Sequence, residues 1–391
     1  MDYSLSDDQR AQQDAVRRYL EAEYPYARRG DAVDPTAQRR RWQGLAEMGL
    51  LGLPLDSAWG GAGQRPVDMA LLAREMGRCH AGEGYLSSVV LAGTLLQALG
   101  SSAQREHWLP ALVRGERQLA LAHTEPDARY SLTQVRTRAT PTAGGYCLQG
   151  RKSMVLGGAQ ADALLVLART QGEDEDAGGL SLFLLPAVAP GLTLQNFQTL
   201  EGRQAAHITL DAVQVPADAL LGELHQAHAA LVQAVDLARI WVCAESVGAM
   251  ETLIEATTEH LRTRKQFGAP LARFQALQHR LADAMMGLAQ SEAMVFAAAM
   301  MQGEAEPELC RRVLAGMQVM TGRAAQAVSE MAIQMHGAMG MTAECRVGHF
   351  AKLLMSLGLL YGDVHHHTRW YAQHAIERGH PSPSHTLEEH A

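Results

Sequence analysis

Residues Arg262–Ala284 read RTRKQFGAPLARFQALQHRLADA and join two apolar helical patterns. Upstream of the junction, apolar and small residues recur at helical spacing over about Leu231–Leu261. The segment Gly268–Pro270 interrupts the pattern, because Gly268 suits a left-handed helix cap and a proline can begin a helix but cannot continue one. We therefore predict two helices that meet at this break.

After the break, apolar side chains recur three or four residues apart, which predicts one buried helical stripe. The stripe consists of Leu271, Phe274, Leu277, Leu281, Met285 and Leu288. Immediately before the break lie two cations, an amide and an aromatic ring, in Arg264–Phe267. A planar guanidinium beside an aromatic ring suits a phosphate that carries an attached ring. A solvated basic helix end, which satisfies the last carbonyl groups, is the alternative interpretation.

Length and composition limit the class of protein. The 391 residues are 47% hydrophobic, which is enough for two or three domains. A net charge of −8 argues against a nucleic-acid partner. The start, MDYSLSDDQR, is acidic and polar rather than a signal peptide, and no apolar run is as long as a membrane span. Five scattered cysteines without C-x-x-C spacing indicate a cytoplasmic protein with reduced, buried thiols.

The pattern of apolar residues changes twice along the chain. Residues 1–118 read as helices, with Ser6 as the first N-cap. Residues 119–223 contain short apolar or alternating runs separated by glycine and proline, which predicts an antiparallel β-domain with an acidic, mobile hairpin tip at Gln171–Gly179. Residues 224–378 are helical again, and residues 379–391 are predicted to be a disordered tail. The fold class is therefore α+β.

The R-x-Q-F-G motif of the junction, followed by F-Q-A-L-Q-H and L-A-D, resembles the signature of the acyl-CoA dehydrogenase family. The resemblance covers nearly the whole chain. Further motifs are Leu51–Pro54, Gly60–Gly63, Thr124–Pro126, Gly150–Lys152, Ala161-Asp162 and Gln334–Gly337. It implies the acyl-CoA dehydrogenase fold, in which an N-terminal helical domain and a middle β-domain precede a C-terminal four-helix bundle. It also implies an FAD cofactor, an acyl-CoA substrate, an electron-acceptor flavoprotein and a homodimer or homotetramer.

A closer resemblance is to the small-subunit branch of the family, such as the small subunits of pimeloyl-CoA dehydrogenases. The segments that carry it are Glu125–Tyr130, Gly150–Leu156 and His336–Thr342. Chains of this branch typically work with a large subunit in a heterotetramer, so this resemblance implies a heteromeric partner.

The resemblance also implies two groups of FAD-binding residues. One group holds the diphosphate and adenine end of the neighbouring subunit's cofactor; it comprises Arg264, Gln266, Phe267, Leu271, Phe274, Gln334 and Gly337. The other, around the flavin ring, comprises Thr124, Met154 and Leu156. Met154 replaces the family's aromatic residue and Leu156 replaces its threonine near flavin N5. A chain that keeps the first group and alters the second fits a heteromeric partner.

The family's reaction removes an α-proton from an acyl-CoA thioester while flavin N5 takes a hydride from the β-carbon. The usual catalytic glutamate falls on Tyr361, whose phenol is a poor base because its pKa is about 10. An alternative position on an earlier helix falls on Ala238, next to Arg239. The remaining carboxylates are Asp363, for which a helix N-cap is the alternative role, and Glu245, for which a structural role is the alternative. We take Asp363, Tyr361 and Arg239 as the catalytic candidates.

The run His365–His367 does not predict a metal site, because adjacent helical residues point about 100° apart. Three functions follow from the resemblance. The chain is a subunit of an FAD-dependent acyl-CoA dehydrogenase, a non-catalytic partner subunit of such an enzyme, or a related flavin monooxygenase or oxidase.

Overall fold

The computed structural model describes residues 5–24, 34–82 and 84–377, so the predicted disordered tail lies outside the described residues. The first part of the chain is helical, as predicted. Its α-helices are α1 (Asp7–Glu23), α2 (Pro35–Glu47), α3 (Pro66–Cys79), α4 (Thr94–Leu99) and α5 (Ser102–Val113). Ser6 caps α1 as predicted, because its hydroxyl accepts from the Gln9 amide and the Gln9 side chain accepts from the Ser6 amide.

The apolar segment Leu86–Leu99, within the part of the chain that we predicted to be helical, contains two kinds of helix. Its first part, Leu86–Gly93, is a fully buried π-helix that runs into α4. Ser88 within it exchanges hydrogen bonds with the backbone of Leu119, at 2.7 and 3.2 Å. These bonds tie the helical part of the chain to the first strand. Because the segment is apolar on every side, its periodicity could not distinguish a π-helix from an α-helix.

The middle of the chain forms an eight-stranded sheet in the order β6-β7-β3-β2-β4-β5-β8, with β1 added to β4. The strands are β1 (Leu119–Ala122), β2 (Arg138–Thr142), β3 (Gly145–Leu156), β4 (Ala163–Arg169), β5 (Leu180–Pro186), β6 (Leu192–Gln198), β7 (Gln204–Pro216) and β8 (Leu220–Leu221). Most neighbours are antiparallel, as predicted, but β1 and β2 run parallel to β4, so the sheet is mixed. Buried side chains such as Leu148, Val166, Phe183 and Ile208 form its core.

The last part of the chain is helical, and the α+β prediction is confirmed. The helices are α6 (Ala227–Thr263), α7 (Gln275–Met301), α8 (Pro307–His336), α9 (Arg346–Leu357) and α10 (Val364–Glu377). The chain divides into two compact units within α6, after Trp241. Gly337 ends α8 with a φ of 61°, where the sequence predicted a helix end.

The predicted break between α6 and α7 is present, but it is a β-hairpin. The strands β9 (Lys265–Gln266) and β10 (Ala269–Pro270) pair antiparallel across Phe267 and Gly268, whose φ values are 54° and 78°. Two successive central residues with positive φ form a type I′ turn. Our prediction that Gly268 caps a helix and that Pro270 begins the next one was therefore wrong. Gly268 instead supplies a positive φ in the turn, and Pro270 lies in the second strand of the hairpin.

The apolar stripe that begins at Leu271 and continues along α7 is not buried in the single chain, contrary to our prediction: four of its six residues are half-buried, and Phe274 and Met285 are exposed. Met285 is 55% exposed and Phe274 is 36% exposed. The neighbouring Met286 is 57% exposed. An apolar helical face that its own chain leaves open is typical of a surface for another protein chain.

Two helices, α6 and α7, are long and apolar enough by composition to span a membrane, although the sequence had predicted no such span. In the most apolar window of α6, 61% of the residues are buried within the chain, against 28% in α7. Length and composition are weak criteria, because a buried core helix meets them too. We assign α6 to the core and the exposed face of α7 to protein contact.

The five cysteines are free thiols. Of these, Cys243 is buried, and its thiol lies 2.9 Å from the Gln318 side-chain oxygen. The other four are half-buried, so the prediction of buried thiols is correct for Cys243 alone.

Candidate cofactor and catalytic site

The three residues predicted to surround a flavin ring lie at one end of the sheet. Thr124 follows β1, and its carbonyl accepts a 2.8 Å hydrogen bond from the amide of Ser153 in β3. The pairing of β3 with β7 shifts register after Lys152, and Met154 in this bulge has a φ of 51°. The bulge leaves Met154 43% exposed, while Leu156 is half-buried. The fold therefore brings Thr124 and Met154 together, with the methionine side chain open to a ligand.

A buried ion pair supports this end of the sheet. The ammonium of Lys152 lies 2.7 Å from Glu125, and their side chains are 0% and 5% exposed. The same carboxylate accepts from the amides of Arg136 and Thr137, at 2.8 and 3.0 Å. Burial alone raises the pKa of Glu125, but the Lys152 ammonium and these hydrogen bonds outweigh it and hold the pKa below its usual range. The pair joins the loop after β1 to the strand that carries Met154.

Burial also lowers the pKa of two basic side chains here, Lys152 of the pair and the neighbouring His123. It lowers the pKa of Lys152 to about 8, although Glu125 opposes the change. Burial and the nearby Lys152 ammonium lower the pKa of His123 to about 4, so His123 is neutral at pH 7. The sequence contained both motifs, Thr124–Pro126 and Gly150–Lys152, but gave no sign that their charged residues pair across 27 positions.

A second buried cation, Arg169, holds the loops around this ion pair and was missed by sequence reasoning. It is 1% exposed and ends β4. Its guanidinium donates six hydrogen bonds, all to backbone carbonyl groups. The acceptors are Thr133, Val135, Gln171, Asp174, Asp176 and Gly178. They include the acidic tip that we predicted to be mobile, so the backbone of that tip is tied to a buried group.

The residues predicted to clamp a diphosphate lie on and around the hairpin between α6 and α7. Arg264 continues the helical bonding of α6, because its amide donates to His260, and its carbonyl accepts from Leu271. The side chains of Arg264 and Gln266 are exposed. At the turn, Phe267 is 90% exposed and meets Phe274 edge to face at 6.1 Å. A guanidinium, an amide and two rings are therefore presented on one small hairpin.

The other two clamp residues lie at the end of α8. Gln334 is exposed and Gly337 follows the helix. His336, between them, stacks on His260 of α6 with ring centroids 4.3 Å apart. The stack joins the helix end that carries Arg264 to the helix end that carries Gln334. The fold thus brings together two segments that are far apart in the chain.

Between α7 and α8 lies an open groove of about 440 Å³. Small residues, including Gly287 and Ala324, form part of its lining, together with charged Arg280 and Glu330. Gln334 also lines it. One residue of the clamp, Gln334, therefore borders this groove.

The catalytic candidates Tyr361 and Asp363 lie in the turn before α10. Tyr361 and Gly362 both have positive φ, 59° and 119°, which is strained for a tyrosine. A carboxylate oxygen of Asp363 accepts a 2.7 Å hydrogen bond from the amide of His366, which is the geometry of a helix N-cap. Glu245 is 1% exposed within α6. Asp363 therefore has a capping role.

Arg239 forms a 2.7 Å ion pair with Asp236, one helical turn away, and their side chains are 17% and 13% exposed. Both belong to the compact unit that ends at Trp241, as do Thr124 and Met154. Among the described residues, no group of three or more His, Cys, Asp or Glu side chains is arranged to hold a metal ion.

Three family models match this chain in the order of its structural parts. They are the N-terminal, middle and C-terminal domains of acyl-CoA dehydrogenase, at residues 6–116, 120–213 and 228–374. The chain belongs to the acyl-CoA dehydrogenase family. Among its relatives, the probable acyl-CoA dehydrogenase YngJ of Bacillus subtilis is 27% identical over 92% of this chain and 96% of its own length. The 3-(aryl)acrylate reductase of Clostridium sporogenes is 30% identical over 69% of this chain and 73% of its own length.

Solved structures of the family have the same fold. Butyryl-CoA dehydrogenase from Megasphaera elsdenii superposes with a TM-score of 0.87 and 25% identity, over 96% of this chain and 100% of that one. The FAD complex of PigA has a TM-score of 0.89 and 22% identity, over 97% and 100%. A variant of the Tcur3481-Tcur3483 steroid acyl-CoA dehydrogenase has a TM-score of 0.84 and 26% identity, over 96% and 99%.

Proposed function

We propose that this chain is a subunit of an FAD-dependent acyl-CoA dehydrogenase, an oxidoreductase that forms an α,β-double bond in an acyl-CoA thioester. The observation that carries the proposal is the hairpin clamp: a member of this family presents an exposed guanidinium and an exposed phenyl ring beside an open apolar helix face. In this proposal the ligand of these exposed groups lies at a boundary between subunits. The proposed location is the cytoplasm, which suits five free thiols.

The residues of the clamp fit the diphosphate and adenine end of FAD. Arg264 supplies the planar, permanently charged donors that diphosphates require, and Phe267 supplies a ring for stacking. Gln266 and Gln334 supply amides, and the space beside the Gly337 α-carbon is open, so a ligand can approach the backbone there. The ring site is separate from the clamp: by the family resemblance, the exposed Met154 and the backbone beside Thr124 belong to this chain's own flavin-ring pocket. When bound, FAD takes up the hydride that leaves the β-carbon of the substrate.

The clamp and the ring site differ in how well they suit a cofactor, and this difference favours a heteromeric enzyme. The clamp keeps its charged and aromatic side chains. At the ring site, a flexible methionine replaces the family's aromatic residue and a leucine replaces its threonine. In the proposed assembly this chain grips an FAD whose ring lies in a large-subunit partner. The likeness to the Tcur3481-Tcur3483 steroid acyl-CoA dehydrogenase supports such an assembly, as does the resemblance to the small-subunit branch.

The proton at the α-carbon needs a base, and we propose Asp363 for it. Its carboxylate caps α10, which fixes the side chain in place, and we propose that this fixed carboxylate accepts the proton. Tyr361, the second catalytic candidate, belongs to the same turn. An electron-acceptor flavoprotein is the proposed recipient of the electrons.

The capping bond of Asp363 also favours a second candidate function. A carboxylate that serves only as an N-cap leaves this chain without a base, because Tyr361 stands at the usual position. The chain is then a non-catalytic partner, and the large subunit supplies the base.

Expression with and without a large subunit tests the proposed function. We expect the chain purified alone to carry little or no FAD, because its ring site is altered. The same chain should co-purify with stoichiometric flavin when it is expressed with a large-subunit partner. The visible flavin absorbance per mole of protein measures both. Stoichiometric yellow flavin on the lone chain contradicts the heteromeric assembly, and an absence of flavin from every preparation contradicts the FAD-dependent function.

Substitution of Asp363 by asparagine distinguishes its role as a catalytic base from its role as a helix cap. Asparagine caps a helix as well as aspartate does, so we expect the thermal unfolding midpoint to stay within about 2 °C. The loss of a general base should lower turnover of acyl-CoA by roughly 100-fold or more. Turnover is followed by reduction of an artificial electron acceptor.

The matched control is Asp34→Asn, because Asp34 caps α2 in the same way, through the amide of Thr36. It should change neither turnover nor stability. If Asp363→Asn keeps full turnover, Asp363 is a cap only, and the second candidate function applies.

A further inference from the structure

The stacked pair His260 and His336 is a feature of the clamp that neither the motifs nor the proposed function accounts for. The imidazole rings lie 4.3 Å apart with an interplanar angle of 27°. Both are half-buried. The Nδ1 of His336 lies 2.9 Å from the carbonyl of Ala332 and donates a hydrogen bond to it, which holds the ring in place against His260.

The pair is close to the cation of the clamp. His260 is four residues before Arg264, and side chains at this spacing on a helix lie about 5–6 Å apart at their β-carbons. His336 is one residue before Gly337 and two after Gln334. The stack therefore lies where the two halves of the clamp meet, and any change of charge in it acts on the same ligand.

The charged groups that act on His260 disfavour its protonation. They are His336 on α8 and Arg264 at the end of its own helix, and both repel a further positive charge. Burial, together with these two groups, lowers the pKa of His260 below its usual value. The segment Gly337–Met341, which follows His336, adds no charged residue.

We propose that His260 and His336 form a proton-dependent positioning pair, in which this chain holds a dinucleotide diphosphate more tightly when His260 is protonated against the fixed ring of His336. The inference rests on the proposed function, since it takes the ligand of Arg264 to be the diphosphate of FAD. A bound diphosphate brings negative charge to the pair, and it offsets the repulsion from Arg264. Binding of the ligand therefore takes up a proton.

The direction of the pH dependence follows from this linkage. A bound diphosphate raises the pKa of His260 above its value in the free site, so the protonated site binds more tightly. Affinity is then highest below the lowered pKa of the free site and falls as the pH rises through the raised pKa of the bound site. Each pKa unit between the two states changes the dissociation constant about tenfold.

The test is the affinity for FAD of the co-purified assembly between pH 6 and pH 8, measured by the flavin fluorescence that appears on release. The diphosphate diester of FAD keeps its charge over this range. We expect the dissociation constant to rise roughly tenfold from pH 6 to pH 8. His260→Phe keeps a ring against His336 but cannot titrate, so in this variant the rise from pH 6 to pH 8 should be no more than about twofold.

His107→Phe is the matched control, because His107 is exposed on α5, in the other compact unit. It should keep the wild-type pH dependence. A wild-type affinity that does not change with pH overturns the inference, and so does an undiminished rise in His260→Phe. Both of these outcomes leave the proposed function intact. Failure to bind FAD at any pH overturns the proposed function together with this inference.

Discussion

Arg169→Met is expected to destabilise the β-domain by roughly 3–5 kcal/mol, because the methionine cannot donate to the six carbonyl groups that the guanidinium now satisfies. A buried carbonyl group without a donor costs about 1–3 kcal/mol. Some of the six can turn to water in the variant, since the tip Gln171–Gly179 is largely exposed. The estimate assumes that only about two or three of them stay buried without a donor.

The loss should spread from Arg169 to the flavin end of the sheet. The segment Thr133–Thr137 accepts hydrogen bonds from Arg169, and two of its amides donate to Glu125. Glu125 in turn pairs with Lys152, two residues from Met154. When the segment loosens, the buried Lys152 loses the geometry of its partner. Arg169→Met should therefore loosen the part of the sheet that carries Met154 as well as lower stability.

Amide hydrogen exchange is the appropriate measurement, because a chain with two compact units need not unfold in one step. Residues 133–137 and 170–179 should exchange much faster in Arg169→Met. Arg138→Met is the matched control. The Arg138 side chain is 42% exposed and pairs with Asp174, so its loss should cost no more than about 1 kcal/mol. Equal protection of both loops in the two variants contradicts the role of Arg169.

The sequence predicted the elements of the fold because each element shows its own periodicity. The strands β4 and β5 were readable as short apolar runs between glycines, and α8 as a long helical pattern that ends at Gly337. Periodicity reports the faces of one element and says nothing about partners far away in the chain. The function of Arg169, which donates to residues on both sides of β2, was therefore not visible.

The hairpin at Phe267 shows a second limit of prediction from sequence patterns. Glycine and proline after a helix are equally compatible with a helix cap and with a type I′ turn, and the choice depends on tertiary structure. The stripe on α7 shows a third, because an apolar periodic face is compatible with a core inside the chain or with a surface for a partner.

The residues of the candidate site could be proposed from the sequence, whereas the contacts that bring them together could not. The motif around Arg264 pointed to a phosphate ligand on chemical grounds, and the family resemblance added Gln334 and Gly337. His260 belongs to no motif. Only its stacking on His336 reveals that the helix end near Arg264 meets the helix end near Gln334.

Arg264→Gln is expected to weaken binding of FAD by roughly 100-fold, which makes it the largest functional effect among the clamp residues. Hydrogen bonds to a charged group contribute about 1.5–3 kcal/mol, and a bidentate guanidinium makes two of them with a diphosphate. The fold itself should not change, because the side chain of Arg264 is exposed and the backbone bonds of its amide and carbonyl remain. Equilibrium dialysis of FAD against the co-purified assembly measures the loss.

One further variant distinguishes the planar pair of guanidinium donors from the positive charge, and a second is its control. Arg264→Lys keeps the charge without the planar pair of donors, so it should recover only part of the affinity, about tenfold below the wild type. Arg262→Gln removes an exposed arginine two residues earlier and should leave the affinity unchanged. Sedimentation of each variant checks that the assembly stays intact. Wild-type affinity in Arg264→Gln, with the assembly intact, means that the exposed guanidinium has another ligand, and the proposed position of the diphosphate is then wrong.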